Sequence, residues 1–224
     1  MIVFDRLTKR YPLRGGGHVT IIEDFSGVVP RNLNIGILGR NGAGKSTMMR
    51  LIAGSEKPTS GAIYRDARIS WPLGFAGGLN VALTGRQNMQ FIADLYDANY
   101  QDIVDFVEDF AEIGRFMDQP MGTYSSGMRA RLSFGVCMAL DFDYYLIDEV
   151  IGVGDASFRQ KCRDVLDERR QTTSVLLVSH SSRLLREFCD IGGVLHDGRL
   201  TFYDSLEEAI EMHDENLKVA AIDA

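Results

Sequence analysis

The sequence predicts an α/β protein: an α/β core, an antiparallel β edge and a helical insert. Three observations lead there. In the second half, short apolar runs alternate with helical segments at 144–148, 156–170, 175–179 and 182–189, which implies a parallel sheet flanked by helices. At the start, residues 2–11 and 19–29 show partial apolar alternation on either side of Gly15-Gly16-Gly17, as antiparallel edge strands do. Between these regions, residues 71–140 read as largely helical and interrupt the core. The expected organisation is one domain over 1–224, with 1–70 and 141–213 as core, 71–140 as helical subdomain and 214–224 as a polar tail.

Each element has a local reason. Residues 33–38 form a short apolar strand, followed by a Gly-rich turn and a helix over 45–53 that Gly54 closes. Pro58-Thr59-Ser60-Gly61 is turn chemistry ahead of a strand predicted over 62–70. Residues 71–83 are Gly-rich and irregular, and Thr84 is placed to cap a helix over 85–96. A second helix is predicted over 102–113, with Ile103, Phe106, Val107 and Phe110 on one face. A third spans 126–140, with Met128, Leu132, Val136 and Ala139 at helical spacing. A β-pair at 192–196 and 199–203 precedes a last helix near 206–213.

The chain has 224 residues, 45% of them hydrophobic and 25% charged, so it has the composition of a folded domain with a real core. Its net charge of −7 disfavours a partner bound by neutralising nucleic-acid phosphates. Cys137, Cys162 and Cys189 form no CxxC pair and read as small core hydrophobes in a reduced compartment. Asp5 and Arg6 break the opening apolar run, so no signal peptide is expected, and the other apolar runs are too short to cross a bilayer.

The strongest chemical signal is Gly39-Arg40-Asn41-Gly42-Ala43-Gly44-Lys45-Ser46-Thr47, which fits G-x-x-x-x-G-K-[ST] after a strand and at the opening of a helix. Glycines let successive N–H groups curl inward as a nest for anionic oxygens, and the helix dipole adds to that field. Lys45 would reach the β- and γ-phosphates of a nucleoside triphosphate, and Ser46 would ligate Mg²⁺. A chance match in this length is on the order of 1%, so the phosphate reading stands. Further on, Tyr144-Tyr145-Leu146-Ile147 ends in Asp148-Glu149. Two adjacent acids at a strand end are costly unless a cation or a task holds them. Asp148 would hold Mg²⁺ directly or through water, and Glu149 would polarise the attacking water.

With Tyr124-Ser125-Ser126-Gly127-Met128-Arg129 added, the set resembles the ATP-binding subunit of an ABC transporter, an ABC-type P-loop ATPase whose signature peptide usually reads LSGGQ. On that resemblance Ser125, Ser126, Gly127 and Met128 contact ATP in trans, with two ATPs sandwiched between two subunits. The 126–140 helix is about 22 Å long, which by itself separates its N-terminus from the Asp148 strand. Arg129 and Arg131 run against the helix dipole there and are given no catalytic role. The resemblance also makes His180 the switch histidine at the γ-phosphate, Tyr11 the aromatic that stacks on adenine, and Asp155 the retained residue of a divergent D-loop, Gly152-Val153-Gly154-Asp155. The chain has no Asn-Lys-x-Asp guanine motif, so ATP is preferred over GTP. One departure stands out: no glutamine occurs near Gly74-Phe75-Ala76, where the family's Q-loop residue should fall.

Trp71-Pro72-Leu73-Gly74-Phe75 with Leu83-Thr84-Gly85-Arg86-Gln87-Asn88, the Ser125-Ser126-Gly127-Met128 signature and Ile151-Gly152-Val153-Gly154-Asp155 look like the branch that exports bacterial surface polysaccharides, especially capsular polysaccharide. The sequence runs to Ala224 after one helix and a short polar tail, so no added carbohydrate-binding domain is expected, and that expectation favours the capsule type. The resemblance then implies ATP and Mg²⁺ as cofactors and a homodimer docked on two copies of an integral permease. It places the chain peripherally at the cytoplasmic face of the inner membrane, with the polysaccharide contacted only indirectly and no nucleic acid involved. Phe75, Leu79 and Phe91 lie where such docking would occur. The alternatives are an ATPase subunit for O-antigen, teichoic acid, lipid or drug export, or a soluble non-transport ABC ATPase.

Overall fold

The computed structural model describes residues 1–73, 78–148 and 155–222, with side chains through 219. Its elements are β1 (Ile2–Pro12), β2 (His18–Val29), β3 (Ile35–Leu38), α1 (Lys45–Ala53), β4 (Ser60–Arg65), α2 (Gly85–Tyr96), α3 (Tyr100–Ala111), α4 (Ser126–Met138), β5 (Tyr144–Asp148), α5 (Ala156–Arg169), β6 (Ser174–Val178), α6 (Ser182–Phe188), β7 (Ile191–His196), β8 (Arg199–Tyr203) and α7 (Leu206–Ile222). They fall into two compact units, one comprising Met1–Pro72, Phe142–Glu149 and Arg169–Ala224, the other Leu73–Asp141 and Val150–Glu168.

The first unit holds two sheets. Strands β2-β1-β4 form an antiparallel sheet, and β5-β6-β3-β7-β8 form a second in which only the β7–β8 pair is antiparallel. Every residue of β3 and β6 is buried, as parallel strands covered on both faces require. Helix α1 contributes Met48, Met49, Leu51 and Ile52 to one core cluster with Ile2, Leu7 and Ile22 of the first sheet and Ile37, Leu146 and Leu176 of the second. The β7–β8 hairpin turns on Asp197-Gly198, both at positive φ, the pairing that a two-residue turn between twisted strands favours. On the second sheet, Leu206 and Ala209 of α7 occupy the room left by glycines: a Cβ at Gly192 would lie 2.2 Å from Ala209 Cβ, and one at Gly36 would lie 3.2 Å from Leu206 Cδ1.

The strand predicted over 62–70 divides between the two sheets. β4 ends at Arg65, whose guanidinium turns to the C-terminal carbonyls of α1, donating to Ile52 O at 2.7 Å and also to Leu51 O. The chain then moves to the second sheet, where Ile69 bridges Tyr144 and Ser70 N–H donates to Tyr144 O at 2.9 Å. Helix α7 runs to Ile222 instead of stopping near 213, because no Gly or Pro interrupts the intervening residues.

The second unit is helical. Thr84 caps α2 through a capping box: its side chain accepts from Gln87 N–H, and Gln87 Oε1 accepts from Thr84 N–H. Fully buried Asn88 accepts from Asn80 N–H at 2.7 Å and donates to the Asn80 and Thr84 carbonyls, pinning the approach to that helix. At the centre, Phe110 stacks on Phe134 and meets Phe158 edge-on. Cys137 and Cys162 are buried in this unit, and burial pushes the Cys162 thiol up to about 12, as it does that of Cys189 in the first unit, so both stay neutral. Among the described residues no helix is long and apolar enough to cross a membrane.

Candidate active site

Parallel register brings the site together. Ile37 of β3 pairs with Val178 of β6, and Val178 pairs with Asp148 of β5, so three strands end side by side. Ligands of open α/β sheets bind beyond such carboxyl ends. From β3 the chain enters Gly39–Gly44 and then α1. A Cβ at Gly39 would sit 2.6 Å from the Leu195 carbonyl oxygen, which makes glycine obligatory there. Gly44, at φ 104°, is the α1 N-cap, and a Cβ on it would overlap Ile21 Cγ2 at 2.2 Å. Lacking a side chain, Gly44 leaves the first N–H groups of α1 pointing into the space beyond the strands, with the positive end of the helix dipole behind them.

A cavity of about 340 Å³ opens here, lined by Asn41, Gly42, Gly44, Lys45, Ser46, Thr47, Asp148 and His180, with Ile21 and Val178 as apolar walls. Lys45 is 8% exposed, and its ammonium donates to Gly39 O at 2.7 Å and Arg40 O at 3.1 Å. The buried cation is thus held at the mouth of the loop by neutral carbonyls, which an anion can outbid electrostatically. Ser46 Oγ donates to Asp148 Oδ2 at 2.8 Å. A hydroxyl and a carboxylate at that spacing are hard oxygen donors beside a phosphate cradle, a set that fits Mg²⁺. His180 is exposed and follows β6 by two residues, while Ser181 caps α6 by accepting from Leu184 N–H. On α7, burial holds the His213 imidazole below its ordinary value; Asp214 opposes this, and Lys45, His180 and His196 reinforce it.

Arg40 and Ala43 line a neighbouring hollow of about 240 Å³ with Val19, Thr20 and the turn at His196–Gly198. Tyr11 stands apart from the walls of both cavities. It pairs with Val19 across β1 and β2, and Lys9 Nζ lies 4.6 Å over its ring. Glu149 lies outside the described residues, as do Gly74-Phe75-Ala76 and Gly152-Val153-Gly154. Ile21 is a wall residue that sequence reading missed; only its place on an alternating edge strand hinted at it.

The signature residues belong to the second unit. Ser125 and Ser126 are exposed, and Gly127 and Met128 are half-buried. Ser125 Oγ caps α4 by accepting from Met128 N–H at 3.2 Å. That bond uses an acceptor position, so the hydroxyl proton remains able to donate to an oxyanion. Arg129 folds back to donate twice to Tyr124 O, at 3.2 and 3.0 Å, and Tyr124 Oη donates to Phe116 O at 2.5 Å. Asp155 Oδ1 accepts from Phe158 N–H at 2.9 Å, capping α5, and that bond above all holds its carboxyl below the usual range. Of the residues expected at a docking surface, Phe91 is 50% exposed, whereas Leu79 is 8% exposed and packs inside the unit. Phe75 lies outside the described residues.

Residues 22–152, carrying both the phosphate loop and the acidic strand end, match the family described as ABC transporter. The chain belongs to the ABC transporter family. It is an ATP-binding, ATP-hydrolysing cassette of that family. Within the family, it is 46% identical to the polysialic acid transport ATP-binding protein KpsT of Escherichia coli over 97% of this chain and 100% of that protein. It is 44% identical to the capsule polysaccharide export ATP-binding protein CtrD of Neisseria meningitidis serogroup B, over 96% and 99% of the two chains. Among solved structures, the dimeric, ADP- and Pi-bound ATP-binding cassette MJ0796 superposes with a TM-score of 0.78 at 20% identity, over 92% of this chain and 99% of that one, a likeness of fold.

Proposed function

We propose that this chain powers the export of capsular polysaccharide as a peripheral ATPase at the cytoplasmic face of the inner membrane. It works as a homodimer on two copies of an integral permease, and the permease contacts the polymer. The observation that carries this reading is likeness over essentially the whole chain to polysaccharide-export ATP-binding proteins. The local chemistry agrees with it. The loop from Gly39 to Thr47 cradles the phosphates, Lys45 leaves the Gly39 and Arg40 carbonyls for phosphoryl oxygens, and Ser46 with Asp148 would hold Mg²⁺. When bound, that ion supplies positive charge to the phosphate oxygens. Glu149 orients the attacking water, His180 meets the γ-phosphate and Tyr11 stacks on the base. Ser125–Met128 of each subunit close over the nucleotide of the other, with Ser125 donating its free hydroxyl proton.

The test is ATP turnover of the chain co-reconstituted with its permease in lipid, with and without Glu149→Gln. The expected outcome is permease-dependent turnover that the substitution lowers by about a hundredfold while ATP binding persists. Turnover indifferent to any permease would sink the export reading. Turnover unaffected by Glu149→Gln would remove that residue from its role.

A further inference from the structure

Arg131 sits on the second turn of α4, four residues after Gly127, so the two share a face of the helix. A cation so near a helix N-terminus opposes the dipole and needs a reason to be there. Its side chain is only 17% exposed, and groups from the end of α3 and the start of α5 converge on it. Nη2 donates to Asp155 Oδ2 at 2.7 Å, ahead of α5. Nη1 donates to Ala111 O at 3.3 Å, one of the end carbonyls of α3, and lies 3.6 Å from Glu112 Oε2. The guanidinium plane also packs 4.5 Å from the centre of the Phe158 ring. Glu112 is in turn bound by Lys161 of α5 at 2.5 Å.

Asp155 therefore has both carboxylate oxygens committed within the subunit. One caps α5 at Phe158 N–H, and the other receives Arg131. An isolated surface ion pair would contribute little to stability, and stability alone would not call for a planar fork aimed at an acid, a carbonyl and a ring together. Such a fork fixes direction. Rotation of α4 about its axis would break every one of these contacts at once.

We propose that Arg131 is a positioning residue for ATP hydrolysis: through Asp155, Ala111 and Phe158 it sets the orientation in which the N-terminus of α4 presents Ser125–Met128. The inference rests on the reading that these residues serve the partner's nucleotide. Arg131 touches no substrate atom, so its loss acts on the step that needs the α4 terminus and leaves the phosphate loop of its own subunit intact.

The experiment compares full-length wild type with Arg131→Met, Arg131→Lys, Asp155→Asn and the double variant Arg131→Met/Asp155→Asn. ATP affinity and melting temperature are measured on each chain, and kcat on each chain co-reconstituted with its permease in lipid, well below the melting point. Arg131→Met is expected to lower kcat by about tenfold with ATP affinity within about twofold of wild type. Arg131→Lys keeps the charge without the fork and should recover only part of the loss. The double variant should be no slower than the slower single, because both act through one contact. Retention of kcat in Arg131→Met within about twofold of wild type overturns the proposal, as does a loss that multiplies independently in the double variant. Should Arg131→Met not fold, Arg131→Lys and Asp155→Asn carry the test, and wild-type kcat in both overturns it. Ser125→Ala separates the two levels. Full turnover in that variant removes the signature reading itself, whereas full turnover confined to the Arg131 and Asp155 variants removes only the positioning role.

Discussion

The phosphate loop of the first unit and the α4 terminus of the second both present a helix N-terminus, yet they are built in opposite ways. At the loop, glycine at the cap removes any side-chain partner, and a buried lysine supplies the charge. At α4, an exposed serine caps the helix itself and keeps one proton to give. On the proposed reading the first arrangement would attract phosphate strongly whatever else is present, because a desolvated cation and aligned N–H groups act together. On the same reading the second would offer a weaker, directional contact, useful only once a nucleotide is already held in front of it. Affinity and turnover should therefore separate between the Gly39–Thr47 loop and the α4 terminus.

Lys45→Ala strikes the stronger pole. It should weaken ATP binding by about a hundredfold or more, read by titration with a fluorescent analogue, and unchanged affinity would end the phosphate-cradle assignment. Ser125→Ala tests the other pole. It should cost about 1 kcal/mol of stability as a lost cap and about tenfold in kcat, with ATP affinity of the isolated chain unchanged. A parallel fall in affinity would erase the contrast.

The smallest effect concerns a brace behind Tyr11. Lys9, 8% exposed, donates to Glu56 Oε1 at 2.6 Å and to Lys57 O at 2.9 Å. The Lys9 hydrogen bond, working against partial burial, holds the Glu56 carboxyl below its usual range. A depressed folded pKa means the stabilisation is present above the unfolded value near 4.5 and is lost as pH falls through the folded one. Glu56→Gln should thus lose about 1 kcal/mol at neutral pH after solvent screening, and its melting temperature should approach that of wild type in acid. A constant gap at every pH would remove the charge from the explanation.

Much of this was legible from residues alone. The glycines and lysine of the loop, the acidic end of β5, the Thr84 cap and the β-pair at 192–196 and 199–203 are local patterns whose physics needs no distant partner. What escaped the sequence depends on where separate segments meet. Ile21 is an ordinary edge-strand residue until Gly44 is laid against it. The run 62–70 looks continuous until Arg65 turns to cap α1 and the chain changes sheets. Arg131 looks misplaced on its helix until Asp155 and Glu112 arrive from elsewhere in the sequence.

The pairing of β3 has a consequence for how the chain comes into being. This strand and the phosphate loop behind it are synthesised early, yet the strand's parallel neighbours β6 and β7 come from far downstream. Asn34 Oδ1 accepts from Val175 N–H across 141 residues of chain, just ahead of the Ile35–Leu176 pair. Closing a loop of that size is entropically slow, and parallel pairing cannot form until the later strands exist. On a ribosome, the loop would emerge without the scaffold that shapes it and would wait for more than half the chain. Competence to hold nucleotide should then arrive late and abruptly, with the second sheet, and a nascent chain stalled before β6 should not retain ATP however complete its glycine loop is.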